Sequence, residues 1–277
     1  MESYATCVGG VANAEWKGFL GSLTPAVMHA SAKFEEAVKQ TSVHCLSGDD
    51  FRFGPSGNDE LDETVNKEVR KLYTQRMVRR GTASRVIYDQ IFLATDCCPL
   101  CGHREVSTLD HHLPKVGFPY LSVTPSNLVP ACIECNKVKL DRIADIAEEE
   151  TLHPYFDDLQ DLRWLRGSVV EESPPAVLFY VDSPTSWSAV LAERVKTHFA
   201  AFRLARLYGA QAATQLRAIE LYLEKISQGS GSAGVSSYLA DMAVSSMKVD
   251  QNYWMVAMYE SLAESSWYCS GGYRFDL

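Results

Sequence analysis

Four cysteines of this chain are arranged as two CxxC pairs. Cys98 and Cys101 form the first pair, and Cys132 and Cys135 form the second. Two thiolates three positions apart can bind the same ion when the backbone turns tightly between them, and two such turns complete a tetrahedron. The spacing predicts a closed, structural Zn²⁺ site. Two alternatives stay open: Cys97 can replace Cys98 as a ligand, or the cysteines can be small buried residues without a metal.

Residues that can activate water lie between and beside these pairs. Asp110, His111 and His112 follow one another, Asn127 lies nearer the second pair, and Asn136 comes directly after its last cysteine. At a pH near its own pKa, a neutral imidazole can accept a proton from water. Carboxylate and amide oxygens are the ligands that Mg²⁺ and Mn²⁺ prefer, whereas thiolates suit Zn²⁺. The pattern therefore predicts two metals with different tasks, one structural and one catalytic.

The order of these residues resembles the HNH endonuclease motif in its zinc-containing form. The shared pattern is DHxxP, a central asparagine, and then CxxCN with Lys139 three positions on, and it covers residues 95–142. The resemblance implies a ββα-metal fold, in which a β-hairpin and a helix hold one catalytic divalent cation. It also implies hydrolysis of DNA phosphodiester bonds that leaves a 5′ phosphate and a 3′ hydroxyl.

The resemblance also assigns a role to each residue of the motif. Asp110 and Asn136 correspond to the two ligands of the catalytic Mg²⁺ or Mn²⁺, and His111 corresponds to the general base. Asn127 corresponds to the asparagine that ties down the loop carrying the base through side-chain hydrogen bonds to the backbone. Many members of the family have histidine at the position of Asn136, so the asparagine is a change of ligand that leaves the preferred metal open.

Both adjacent histidines are candidates for the base. In the family the base lies three residues before a proline, and by that rule Pro114 selects His111 over His112. A third interpretation makes one of the two histidines a zinc ligand, but four cysteines already complete a tetrahedron.

Basic side chains near the motif can hold a phosphate backbone. Between Thr64 and Tyr88 the chain has seven Lys or Arg residues against Glu68 alone, a local charge of +6 (7 minus 1). Such residues supply the sequence-independent part of DNA affinity. A solvated helix face has the same composition, so both interpretations stay open. The residues predicted to contact nucleic acid are Lys115, Lys137, Lys139, Arg76, Arg79 and Arg80.

Composition and charge limit the class of protein. The 277 residues are 46% hydrophobic, enough for a packed core without disulfides. No apolar run approaches the roughly 20 residues of a membrane-spanning helix, and the first residues lack a secretion signal. A soluble, cytoplasmic protein without membrane contact is expected. The net charge of -9 is concentrated in residues 141–277, with 11 Lys or Arg against 19 Asp or Glu, so DNA binding requires a local basic patch.

The predicted fold class is α+β, a mostly helical chain with an inserted, zinc-stapled ββα-metal core. We divide the chain into an N-terminal helical region with the basic segment (residues 1–92), the nuclease core (93–146) and an acidic, mostly helical C-terminal region (147–277).

Local patterns predict several elements. Val27–Val43 and Glu60–Ile91 have helical spacing, and the second is one long helix or two helices broken near Gly81. Ala176–Val181 is rich in β-favouring residues and is predicted to be a strand. The glycine- and serine-rich stretch Gly229–Gly234 is predicted to separate C-terminal helices.

The leading functional hypothesis is a metal-dependent endonuclease acting on DNA. The alternative is a zinc-stabilised nucleic-acid-binding module without catalysis. The placement of the core between helical flanks also looks similar to nuclease subunits of bacterial Septu-type anti-phage systems, which work with an ATPase. Expected partners are therefore DNA and either an ATPase subunit or a second copy of the chain bound through the C-terminal region.

Overall fold

A computed structural model describes residues 2–139, 143–159 and 162–275 of the chain. These residues are mostly helical and include two antiparallel sheets of two strands each, which confirms the α+β class. The chain divides into two compact units, Met1–Asp157 and Asp158–Leu277. The predicted boundaries after residues 92 and 146 both fall inside the first unit. Nowhere in the described ranges does a helix have the length and apolar composition that crossing a bilayer requires.

Helices make up the first part of the first unit. Asn13 and Asn58 begin two of these helices, because their side-chain oxygens accept backbone N–H bonds from Trp16 and Leu61. Buried apolar side chains from these helices form one core, with Phe34 completely buried. The helix predicted at Val27–Val43 is present, but it runs from Thr24 to Lys39 and so begins and ends earlier than predicted. The helices are α1 (Glu2–Gly9), α2 (Ala14–Ser22), α3 (Thr24–Lys39), α4 (Asp59–Leu72) and α5 (Arg85–Phe92).

The basic segment, by which we mean the stretch between Thr64 and Tyr88, lies on two helices rather than one. α4 continues into one wide, π-helical turn, Tyr73–Met77, and α5 begins only at Arg85. Gly81 lies between them with φ of 81°, a conformation that glycine adopts at little cost. The prediction of a break near Gly81 is therefore confirmed, and the wider turn places Tyr73 at the end of α4.

A β-hairpin and a short helix follow the basic segment. Asp110 on the first strand lies opposite Val129 on the second. The connection between the strands contains two short helical turns, Pro119–Leu121 and Pro125–Asn127. The order strand, strand, helix is the one that the HNH resemblance implies. The elements are β1 (Thr108–His111), β2 (Leu128–Ala131) and α6 (Ile133–Lys139).

Residues 147–157, which we call the strap, end the first unit and pack back onto its earlier elements. The carboxylate of Glu150 accepts a hydrogen bond from the backbone N–H of His44, with 2.8 Å between the two atoms, and lies 2.7 Å from His44 Nδ1. The hydroxyl of Tyr155 donates to the carbonyl oxygen of Leu128 on β2, at 2.7 Å. The strap therefore joins the short helical turn Val43–Cys45 to the hairpin, although the sequence division had placed it with the C-terminal region.

The second unit combines a hairpin with helices. The strand predicted at Ala176–Val181 is confirmed with those bounds, whereas its partner strand was not predicted. A Cβ on Gly167 would lie 2.6 Å from the carbonyl oxygen of Ala257, so glycine permits the close approach of this hairpin to a helix. The elements are β3 (Leu165–Val170), β4 (Ala176–Val181), α7 (Ala189–Ala201), α8 (Leu204–Ser246) and α9 (Trp254–Glu264).

The long helix α8 reverses direction at Gly231. That residue has φ of 64° and ψ of -164°, far from helical values. The rings of Tyr222 and Tyr238 are only 5.0 Å apart between centroids, although residues so far apart would be separated by roughly 24 Å along a straight helix. The two halves of α8 therefore lie side by side, and the prediction that Gly229–Gly234 separates helices is confirmed.

Candidate metal centre and active site

The two CxxC pairs come together in the structure. The four sulfur atoms all lie within 4.8 Å of one another, and all four side chains are buried. Zn–S bonds of about 2.3 Å would place tetrahedral sulfurs about 3.8 Å apart, so this spacing suits a single bound ion. The cluster can therefore hold a metal such as zinc. Its members are Cys98, Cys101, Cys132 and Cys135.

Backbone turns hold the cysteines of each pair in this arrangement. The N–H of Gly102 donates to the Cys98 carbonyl oxygen at 2.8 Å, and Gly102 adopts a φ of 57°. Backbone N–H groups also point at the sulfurs, with 3.5 Å from Arg104 N to Cys101 Sγ. Hydrogen bonds from the thiols of Cys135 and Cys98 hold the pKa of Cys101 far below its usual value. One sulfur of the cluster, that of Cys101, is thus stabilised as the thiolate that binds metal, whereas hydrogen bonding with Cys101 raises the pKa of Cys98.

Cys97 lies outside this cluster. Its side chain is exposed, whereas that of the adjacent Cys98 is buried with the other three ligands. The structure therefore favours Cys98 as the ligand, and it also disfavours the reading in which the cysteines are unrelated core residues.

His111 ends β1 with its imidazole held by a backbone group. Its Nε2 lies 2.9 Å from the carbonyl oxygen of Ser122. A carbonyl oxygen only accepts hydrogen bonds, so Nε2 carries the hydrogen and Nδ1 of the neutral ring keeps its lone pair. Burial lowers the pKa of His111 to about 3, and the ammonium groups of Lys115 and Lys139 act in the same direction. The ring is therefore neutral and Nδ1 carries no hydrogen, but the same burial makes that nitrogen a weaker base than a free imidazole.

His112 has a different environment. Its side chain is buried, with its ring centroid 4.4 Å from that of His153 and 6.2 Å from that of Phe34. Nε2 of His153 lies 3.0 Å from the carbonyl oxygen of Ser126, and burial lowers the pKa of His153 to about 4. These contacts place His112 in a packed aromatic cluster and favour the half-buried His111 as the base.

Asp110 is buried next to a cation supplied by the chain itself. Its Oδ2 lies 3.2 Å from Nζ of Lys139, and the same ammonium donates to the carbonyl oxygen of His111 at 2.7 Å. Asn136 lies three residues before Lys139, on the same face of α6. α6 therefore directs Lys139 toward Asp110 on β1. Lys139, predicted to contact nucleic acid, is only 8% exposed and directs its charge at the site itself.

Asn127 connects the two ends of the loop between the strands. Its Oδ1 accepts from the backbone N–H of Leu113 at 2.7 Å, and its Nδ2 donates to the carbonyl oxygens of Leu113 and Leu121. Its own carbonyl oxygen accepts from the N–H of His112. The side chain is completely buried, so these bonds replace water for every polar atom of the amide.

Replacing Asn127 by alanine should lower both stability and any activity of the site. Three buried backbone groups would lose their hydrogen-bond partners, which should lower the free energy of unfolding by about 1–3 kcal/mol. The loop that carries Ser122 would also lose the hydrogen bonds that hold it in place. Urea denaturation measures the first effect. Asn252→Ala is the matched control, because Asn252 bonds backbone groups of Trp164, Leu165 and Leu162 in the second unit. Equal effects of both variants on activity would contradict this role for Asn127.

The residues predicted to bind phosphate differ in their exposure and in whether a carboxylate already pairs with them. Among the described residues, no ion pair involves the exposed Arg79 or Arg80, whereas Arg70, Lys71 and Arg85 are paired with carboxylates. The two unpaired arginines are therefore free to bind an anion. Of the remaining predicted contacts, Arg76 and Lys115 are half-buried and Lys137 is exposed.

Two groups that contact His111 were not identified from the sequence. The carbonyl oxygen of Ser122 is a backbone atom, so no residue type indicates it. Tyr73 belongs to the basic segment, where attention fell on charge, and its ring centroid lies 4.5 Å from that of His111. The ammonium of Lys115 lies 5.0 Å from the centre of the same tyrosine ring. The basic segment therefore reaches the site through an aromatic side chain.

Comparison with known proteins identifies a relative but no function. The chain is 28% identical over 215 residues to protein Ea31 of Escherichia phage lambda, and the match covers 72% of each chain. No family model matches the chain. No solved structure matches it either. The chemistry of the site must therefore be argued from its own residues.

Proposed function

We propose that this chain is a metal-dependent endonuclease that hydrolyses DNA phosphodiester bonds. The observation that carries the proposal is the neutral His111 imidazole, fixed through Nε2 by the Ser122 carbonyl and adjacent to the buried carboxylate of Asp110. A hydrogen-bonded imidazole with a free nitrogen is the arrangement that a general base requires. The HNH resemblance supports the same assignment, since it places base and carboxylate next to each other at the end of the first strand.

In the proposed reaction, Nδ1 of His111 accepts a proton from the attacking water. The water oxygen forms a bond to phosphorus, the bond from phosphorus to the 3′ oxygen breaks with its electron pair, and that oxygen takes a proton from a solvent water molecule. The Ser122 carbonyl keeps the ring oriented and is well placed to interact with the imidazolium that forms. Lys115, half-buried near the base, adds positive charge where a phosphate would bind.

Asp110 and Asn136 supply the oxygen ligands suited to Mg²⁺ or Mn²⁺. The Lys139 ammonium lies 3.2 Å from Asp110 Oδ2, so a metal ion bound here would share this carboxylate with the ammonium. A carboxylate has enough lone pairs to accept from both an ammonium and a metal ion. A cation bound there would neutralise charge on the departing 3′ oxygen.

The cysteine cluster has a structural role in this proposal. Cys135 directly precedes Asn136, and the turn containing Cys98 and Cys101 precedes β1, so one Zn²⁺ would join both sides of the catalytic site. Four thiolates close the coordination shell and leave no position for substrate.

Plasmid nicking tests the proposal directly. Purified protein with its zinc retained should convert supercoiled plasmid to open circles when Mg²⁺ or Mn²⁺ is added, and should not do so without either ion. Binding of DNA without any cleavage under either condition would instead support the alternative, a non-catalytic zinc-stabilised binding module.

The exposed arginines give a separate prediction for DNA binding. Arg79→Ala with Arg80→Ala should weaken binding and reduce the slope of log K against log salt by about 1–2, because fewer counterions are released. The measurement uses the His111→Ala background, so that the DNA stays intact. Arg206→Ala with Lys248→Ala is the matched control, since both residues are exposed basic residues of the second unit. An unchanged slope for the first pair would indicate an ordinary solvated surface.

A further inference from the structure

Tyr73 contacts the proposed base from outside the hairpin. It lies in the wide turn that follows α4, and its ring is nearly perpendicular to that of His111, with 72° between the planes and 4.5 Å between centroids. This is the edge-to-face geometry that aromatic rings prefer. The N-terminal helices therefore supply one wall of the site around the imidazole.

The tyrosine ring is itself held in place. It is 7% exposed within the apolar core of the first unit, and its hydroxyl lies 3.5 Å from the carbonyl oxygen of Leu109 on β1. Burial raises the pKa of its phenol far above the usual value, so the hydroxyl stays protonated. The ring is thus a fixed surface rather than a side chain that can swing away.

The hydrogen bond to Ser122 does not orient His111 completely. A single N–H···O bond fixes the direction of Nε2, but it leaves the imidazole able to tilt about the bond axis. Such a tilt would move Nδ1 away from the water that it must deprotonate. The Tyr73 ring lies against the imidazole, with 4.5 Å between the ring centroids, and therefore limits this tilt on the side that it contacts.

We propose that Tyr73 is a positioning residue that fixes the plane of the His111 imidazole. This inference rests on the proposed nuclease function. It adds that the N-terminal helical region is part of the active site rather than only a surface for DNA. Tyr73 also lies against the Lys115 ammonium, so the same ring orders a group expected to meet the phosphate.

Tyr73→Leu tests the proposal, since it keeps an apolar side chain but removes the ring. We expect kcat for plasmid nicking to fall ~10- to 100-fold with a smaller change in KM for DNA, because the orientation of the base is lost whereas Lys115 keeps its charge. Tyr73→Phe keeps the ring and should restore most of that rate. Tyr88→Leu is the matched control: Tyr88 is similarly buried and also lies against a cation, Arg85, and stacks on Phe92 instead of His111.

The ring-proton NMR signals of His111 provide a readout independent of cleavage. They are assigned by their absence in His111→Ala, and they should shift in Tyr73→Leu and remain in place in Tyr88→Leu. If Tyr73→Leu does not fold, the comparison uses wild-type protein and Tyr73→Phe instead. In both proteins the His111 ring-proton signals must differ from those of an exposed histidine, because the ring contact is present in both. An active wild-type enzyme whose kcat is equal in Tyr73→Leu and Tyr88→Leu would overturn the inference. A wild-type enzyme that never nicks DNA would instead overturn the proposed function.

Discussion

His111→Ala should lower the rate of plasmid nicking by ~10²–10⁴-fold, because only the proton acceptor is lost. Zinc content, melting temperature and DNA affinity should stay close to wild type, since among the described residues the side chain makes one hydrogen bond and one ring contact. Imidazole added to the solution should restore part of the rate by entering the space that the side chain leaves. Initial rates with supercoiled plasmid measure the loss and its rescue, and elemental analysis, thermal melting and DNA titration measure the other three properties.

His112→Ala is the internal control for this prediction. His112 packs against His153 and Phe34, so its loss should lower the melting temperature more than the cleavage rate. If His112→Ala removed cleavage and His111→Ala did not, the assignment of the base would be wrong.

Cys98→Ser should remove the bound metal and, with it, the organised active site. The serine oxygen replaces one of four buried thiolates, and metal binding to such a site supplies folding free energy of ~10 kcal/mol. We expect zinc to fall from about one ion per chain to a small fraction. The hairpin should become sensitive to protease, and nicking should be lost. Elemental analysis and limited proteolysis measure these changes.

The adjacent Cys97 makes this test specific. Cys97→Ser changes the same atoms one position earlier, but its side chain is exposed and outside the cluster, so zinc content and nicking should not change. Loss of zinc in Cys97→Ser but not in Cys98→Ser would show that the ligand is Cys97. A zinc-free preparation with normal melting and full activity would contradict a structural metal altogether.

The metal cluster could be predicted because the sequence spacing of each CxxC pair restricts where its two sulfur atoms can lie. A CxxC pair with a following glycine can form only a few tight turns, and Gly102 adopts the positive φ that such a turn needs. The strand Ala176–Val181 could be predicted for a similar reason, since prolines bound a run of β-favouring residues. Its partner β3 could not, because Gly167 interrupts its pattern and is required by contact with α9.

The inner surface of the candidate site could not be predicted in the same way. The direction of the Lys139 side chain depends on how α6 packs on β1, and that packing is set by contacts distant in sequence. The Ser122 carbonyl and the ring of Tyr73 reach His111 only because a loop and a helix fold over the same strand. Local patterns describe single elements, whereas these contacts arise between elements.

The strap determines where the chain could be shortened without damage. A protein truncated after residue 146 would lack Tyr155 and Glu150, leaving the Leu128 carbonyl of β2 without its phenolic donor and the His44 backbone N–H without its acceptor. The same truncation would remove His153, whose ring packs against that of His112. Excision or transplantation of the motif alone should therefore yield a poorly folded fragment. The smallest transferable module runs from the first helix through residue 157.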